Sequence, residues 1–192
     1  LSAWNLDLCI WGDLVYTPTP TATPPTPPPA SPTPSPYAHC PIYQGPPFMI
    51  DNPDVDTRSI TLTSPHRVEK VMVNIGDFYV GGDNDLDNVG MYLISPREIV
   101  IPLFEKHQLA EHGLSGTWFD DDSTTNIADG IGPYVGHFHP SGDLSDLIGE
   151  PIAGDWKLLV FNDYSGFQGE AFLDEWAIEI CEAEPTPSPP PV

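Results

Sequence analysis

Proline decides where this chain can be compact. There are 25 prolines, and nearly every residue from Tyr16 to Pro36 is Pro, Thr, Ser or Ala. Pro185 to Val192 begins the same pattern again. Proline fixes φ and removes the amide donor, so such a tract enters neither a helix interior nor the middle of a sheet. It reads as polyproline II, without internal hydrogen bonds and with a reach of roughly 65 Å when extended. The tract from Tyr16 to Pro36 carries no charge. Its closely spaced hydroxyls, Thr17, Thr19, Thr21, Thr23, Thr26, Ser31, Thr33 and Ser35, are candidates for O-glycosylation of an extracellular stalk.

The residues between the tracts, 37–184, are enough for one domain with a sizeable core. Against 28 acidic residues stand only 6 basic ones, for a formal net charge of -22. Such a surface repels phosphates, which argues against nucleic acid and against anionic lipid as partners. No run approaches about 18 apolar residues, so no membrane insertion is expected. Leu1-Ser-Ala-Trp4 is neither an initiator nor a signal peptide, so the true N-terminus is expected upstream.

The two ends of the chain resemble each other. Leu1, Trp4 and Cys9 align with Leu173, Trp176 and Cys181, and Leu6 and Leu8 fall where Ile178 and Ile180 stand. A Thr/Pro-rich tract follows each segment. The offset is about 172 positions, long enough for a domain plus its linker. Four parts are therefore expected: 1–10 as the last strand of a preceding repeat, 11–36 as linker, 37–184 as a domain, and 185–192 as the next linker. Trp4, Leu6 and Leu8 share one face at period two, and a lone strand cannot bury that face. Leu1–Cys9 is expected to complete the sheet of a neighbouring copy along an open edge. The partners would then be copies of the same repeat, joined head to tail.

Inside 37–184 the signals are strands and turns. Ile60 and Leu62 alternate, as do Val71, Val73 and Ile75 behind Val68. Met91–Ile94 and Lys157–Phe161 read as more fully buried strands. The best helical candidate, Leu103 to Gly113, is short. The fold class is all-β, a jelly-roll-like β-sandwich.

Five motifs then occur in order: Met91-Tyr-Leu-Ile-Ser-Pro96, Thr117-Trp-Phe-Asp-Asp-Asp122, Gly136-His-Phe-His-Pro-Ser-Gly-Asp-Leu-Ser145, Gly154-Asp-Trp156-Lys-Leu158, and Gly169-Glu-Ala-Phe-Leu173-Asp-Glu-Trp176. Together they resemble the P domain of furin/kexin-type proprotein convertases. The resemblance implies a non-catalytic sandwich that folds beside a subtilisin-like protease, or stands alone in bacterial surface proteins. Where the family has Gly-Asp-Leu ahead of its Leu-Ile-Ser-Pro strand, this chain has Asp87-Asn88-Val89 in a Gly/Asp-rich insertion.

Two acidic clusters suggest Ca²⁺. Asp83, Asp85, Asp87 and Asn88 form one, and Asp120, Asp121 and Asp122 the other, with Asp163 added by the resemblance. Crowded carboxylates repel unless a cation sits among them, and Asp/Asn loops offer the oxygens Ca²⁺ takes. Asp120, Asp121 and Asp163 are the foremost candidates. An EF-hand is rejected, because its glycine and glutamate positions hold Asn88 and Ile94. His137 and His139 share a strand face but lack the companions of a zinc site. No Gly-x-Ser-x-Gly elbow or phosphate-binding loop accompanies the serines and histidines, so no catalysis is expected.

Of the three cysteines, Cys40 precedes the first strand and Cys181 follows the last apolar position, so a bridge between them would staple the domain. Cys9 is then left for the Cys40 of a neighbouring copy. The function these features point to is an extracellular structural module of a repeat protein or filament. The alternatives are an accessory domain of a secreted protease, and a carbohydrate- or protein-binding domain presenting Trp118, Tyr134 and Phe138.

Overall fold

The computed structural model describes residues 40–51, 54–81, 86–109, 113–163 and 170–183. The boundaries expected at 10, 36 and 184 lie outside them, as do Cys9, Leu1–Cys9, the hydroxyls of the Pro/Thr tract, Asp83 and Asp85.

Ten strands follow in order: β1 (Ile42–Gly45), β2 (Phe48–Ile50), β3 (Asp54–Leu62), β4 (Arg67–Val80), β5 (Val89–Ile94), β6 (Val100–Phe104), β7 (Leu114–Phe119), β8 (Gly136–Phe138), β9 (Gly154–Asn162) and β10 (Ala171–Ala183). Short 3₁₀ turns occupy Leu86–Asn88, Ile127–Asp129 and Leu144–Leu147. One sheet runs β1-β10-β4-β7-β8, with β2 also on β10; the other runs β3-β9-β5-β6. All pairs are antiparallel except β7 with β8. The molecule is a two-sheet β-sandwich.

Alternation explains the packing. In β9, Trp156, Leu158, Val160 and Asn162 are buried at period two. In β4, Val71, Val73 and Ile75 face the core, and then the phase changes to Phe78 and Val80. In β10 Leu173 faces inward, and three positions later Trp176, Ile178 and Ile180 do so. Both changes fall where the β4–β10 register shifts, around Asp77 and Glu175. A bulge there absorbs the odd residue, so a one-residue slip does not turn either apolar run toward solvent. Trp176 Nε1 donates to the carbonyl of Pro46 at 3.0 Å and Trp156 Nε1 to that of Ile152 at 2.9 Å. Both buried indoles thus have their polar handle satisfied.

The best helical candidate, Leu103 to Gly113, is not helical over its described residues. Leu103 and Phe104 end β6, both fully buried, because Val100–Phe104 pairs with β5. His107 then takes φ of 68°, a value no α-helix accommodates.

Both edges of the four-stranded sheet are protected. On β3 the carboxylates of Asp54 and Asp56 accept the N–H groups of Val55 (2.7 Å) and Thr57 (2.6 Å), while Arg58 donates to the Thr57 carbonyl at 3.1 Å. Along β6, Ser141 and Gly142 donate their amides to the carbonyls of Leu103 and Pro102. Side chains and loop thus take main-chain groups that an added strand would need. β10, the sequence counterpart of Leu1–Cys9, is an interior strand, flanked by β4 on one side and by β1 and β2 on the other.

Candidate functional site

The loop after β7 is placed by strand register. Val73 lies opposite Phe119 and Asn74 opposite Trp118. Lys70, three residues before Val73 on β4, and Asp120, next after Phe119, fall on the phase opposite those core positions, and the chain turns at Asp121–Asp122. Diagonal neighbours on antiparallel strands remain within reach of a long side chain. Lys70 Nζ accordingly donates to Asp120 at 2.8 Å and also to Asp122.

The three aspartates have three different tasks. Asp120 is 8 % exposed; it accepts the Asp122 amide at 3.1 Å and faces His137 Nδ1 at 3.5 Å. Asp121 turns away and accepts the amides of Leu144 (3.0 Å) and Ser145 (2.7 Å), one on each oxygen, at the start of the Leu144–Leu147 turn. Asp122 is largely exposed and holds Lys70 from the solvent side. Burial alone would raise the Asp120 pKa, yet the hydrogen bond and charge of Lys70, the Asp122 amide and His137 hold it below its usual value. Burial likewise works to lower Lys70, and the two aspartates more than offset it, leaving its pKa raised.

A second group surrounds the turn before β5. His107 Nδ1 lies 2.8 Å from Asp87, and the His107 amide donates to the Asp87 carbonyl at 2.8 Å. The Asp163 amide donates to the Asn88 carbonyl at 3.0 Å, and its carboxylate holds Lys106. Asp163 therefore joins Asp87 and Asn88 and is not assembled with Asp120 and Asp121.

Among the described residues, neither group gathers a set of oxygens for Ca²⁺; Asp83 and Asp85 lie outside them. A calcium site needs six to eight oxygens converging on one point. Here the carboxylates converge on ammonium and imidazole groups, and both Asp121 oxygens are spent on backbone amides. Among the described residues, three acidic, histidine or cysteine ligand atoms meet only at Cys40, Glu179 and Cys181. There a Cys40–Cys181 disulfide takes both sulfurs. It also means that the Cys40 of an identical copy is not free for Cys9.

No family model matches the chain, and no curated protein matches it. Among solved structures the chain is similar to a part of the serine protease of Aeromonas sobria. Against its complex with the chaperone, the TM-score is 0.44 at 13 % identity, covering 76 % of this chain and 28 % of that one. Against the serine protease in a second crystal structure the values are 0.41, 14 %, 73 % and 27 %. The chain spans under a third of the length of these proteins.

The aromatic candidates divide. Tyr134 and Phe138 are 3 % and 8 % exposed and belong to the core, so neither presents a binding surface. Trp118 lies on the outer face, its ring stacked 9° from parallel on His137 with centroids 5.9 Å apart. His139 Nδ1 meets the Pro140 carbonyl at 2.8 Å, and its Nε2 lies 3.9 Å from Asp143. The hydroxyls of Ser64 and Ser95 accept backbone amides, and that of Ser141 donates to Gln108. A depression of about 110 Å³ opens beside Lys70, lined by Glu69, Val71, Asp121, Leu144 and Ile148. Ligand pockets usually exceed about 300 Å³. Sequence reasoning found the aspartates but not Lys70. Its signal was available, since a basic residue on the outward phase of Val71, Val73 and Ile75 is conspicuous in so acidic a chain.

Proposed function

We propose that this chain is a non-catalytic extracellular structural module, one P-domain-like sandwich in a tandem array joined by stiff Pro/Thr-rich linkers. The observation that carries it is the place of β10. Leu173, Trp176, Ile178, Ile180 and Cys181 are all buried in the middle of a sheet. The same pattern at Leu1–Cys9, again followed by a Pro/Thr tract, then reads as the interior closing strand of an earlier module. The disulfide supports an oxidising, extracellular setting. The cation-paired carboxylates and hydrogen-bonded serine hydroxyls support a structural role over catalysis.

The neighbours in this reading are other modules of the same kind, held head to tail by main chain, with O-linked glycans stiffening the linkers. An accessory domain beside a subtilisin-like protease is the competing arrangement. The coding sequence upstream of Leu1 separates them. A second sandwich closing in Leu1–Cys9 is expected; a protease domain with Ser, His and Asp in its place would overturn the array.

A further inference from the structure

We infer that Lys70 is the resident cation of the Asp120–Asp122 loop, supplying covalently the positive charge that a divalent metal would otherwise bring. The chain has six Lys and Arg residues for 28 acids, so the placement of each cation is costly to the others. Among the described residues, Lys70 is the one that bridges two carboxylates of a single loop, at Asp120 and Asp122. Its side chain is only 18 % exposed and that of Asp120 12 %, so this pair is screened less by water than an ordinary surface pair.

The position of Lys70 gives the contact a wider consequence. From Lys70 on β4 the chain of contacts runs to Asp120 and Asp122. The intervening Asp121 holds the first amides of the Leu144–Leu147 turn. That turn leads directly back to β4: Gly149 donates to the Val68 carbonyl at 2.8 Å, Val68 donates to Glu150 at 2.9 Å, and Arg67 reaches the Gly149 carbonyl at 2.7 Å. The circuit thus leaves β4 at residue 70 and returns at residues 67 and 68. The 120–122 loop and the Leu144–Leu147 turn are joined to each other through Asp121 and each to β4, the loop through Lys70 and the turn through residues 67 and 68.

An ammonium fits this loop better than a metal would. It donates three hydrogen bonds from one point and needs two or three acceptors, which Asp120 and Asp122 provide. Asp121 is then released to cap the turn. A metal would need Asp121 as well, and the turn would lose both of its amide acceptors.

The test is hydrogen exchange of the full 192-residue chain, followed by mass spectrometry in calcium chloride and in chelator. For the wild type, the amides of 119–124 and 143–150 should exchange equally in both. Lys70→Met should speed both segments together, by about tenfold or more, while β5 and β9 stay protected. Lys70→Arg should restore most of the protection, because it keeps the charge. Should Lys70→Met fail to fold, the wild-type comparison and the arginine variant still decide the matter. Calcium-dependent protection of 119–124 in the wild type that Asp122→Asn abolishes would overturn the inference, as would a Lys70→Met chain that exchanges like the wild type.

Discussion

Gly45 lies flat against the indole of Trp176: a Cβ built on it would stand 1.9 Å from Trp176 Cε2. The two residues are partners in the β1–β10 register, and the indole is fully buried, so it has nowhere to retreat. Gly45→Ala should therefore destabilise the sandwich by about 1–3 kcal/mol, the usual cost of overpacking. Trp176→Ala should cost about 3–5 kcal/mol by leaving a cavity. Urea denaturation of the two variants checks both, and an unchanged midpoint for Gly45→Ala would contradict the packing.

Reduction should weaken the domain strongly. Cys40 and Cys181 are 141 residues apart, so their bond closes nearly the whole sandwich. The chain-entropy argument gives about 5 kcal/mol for a loop of that length, and measured losses are typically about 2–5. Denaturation with and without reductant should show a loss in that range. Equal midpoints would mean that strand pairing alone holds the ends.

The Lys70–Asp120 pair should be at full strength over a broad pH plateau. Asp120 has its folded pKa below the usual 3.8, so its contribution is present above that value and is lost as pH falls through the lower folded pKa. Lys70 has its folded pKa above 10.5, so its contribution is present below that value and is lost as pH rises through the higher one. The stability difference between wild type and Lys70→Met should be flat from about pH 5 to about pH 9 and shrink outside it. A difference that changes across neutral pH would contradict this.

The guarded edge of β3 makes a further prediction. Asp54→Ala with Asp56→Ala frees the Val55 and Thr57 amides that the two carboxylates now accept. The variant should self-associate at concentrations where the wild type does not, as read by light scattering. A variant that scatters like the wild type would show that the carboxylates do not guard this edge.

Much of the sandwich was legible because burial imposes period two on the sequence. Val71–Ile75, Met91–Ile94, Lys157–Phe161 and 173–181 all lie in strands. The phase change at Asp77 and Glu175 was not legible, since a bulge is defined by its partner strand. The Leu103 segment was the best helical candidate because two adjacent apolar residues, Leu103 and Phe104, suit a helical face as well as a buried strand end. The aspartates of the candidate site announced themselves by crowding. What neutralises them is Lys70 of β4, some fifty residues earlier in the chain, and that contact is a property of the fold. Tyr134 and Phe138 were open to misreading because aromatic residues serve cores and binding surfaces alike.

The array rests on Cys9, whose counterpart Cys181 is bonded to the cysteine that precedes β1 of its own domain. Peptide mapping of the native full-length protein without reductant tests this most directly. The account predicts that the Cys9 peptide is disulfide-linked to a peptide from upstream of Leu1, in a module of the same pattern. Cys9 recovered as a free thiol, or bonded to Cys40, would contradict it.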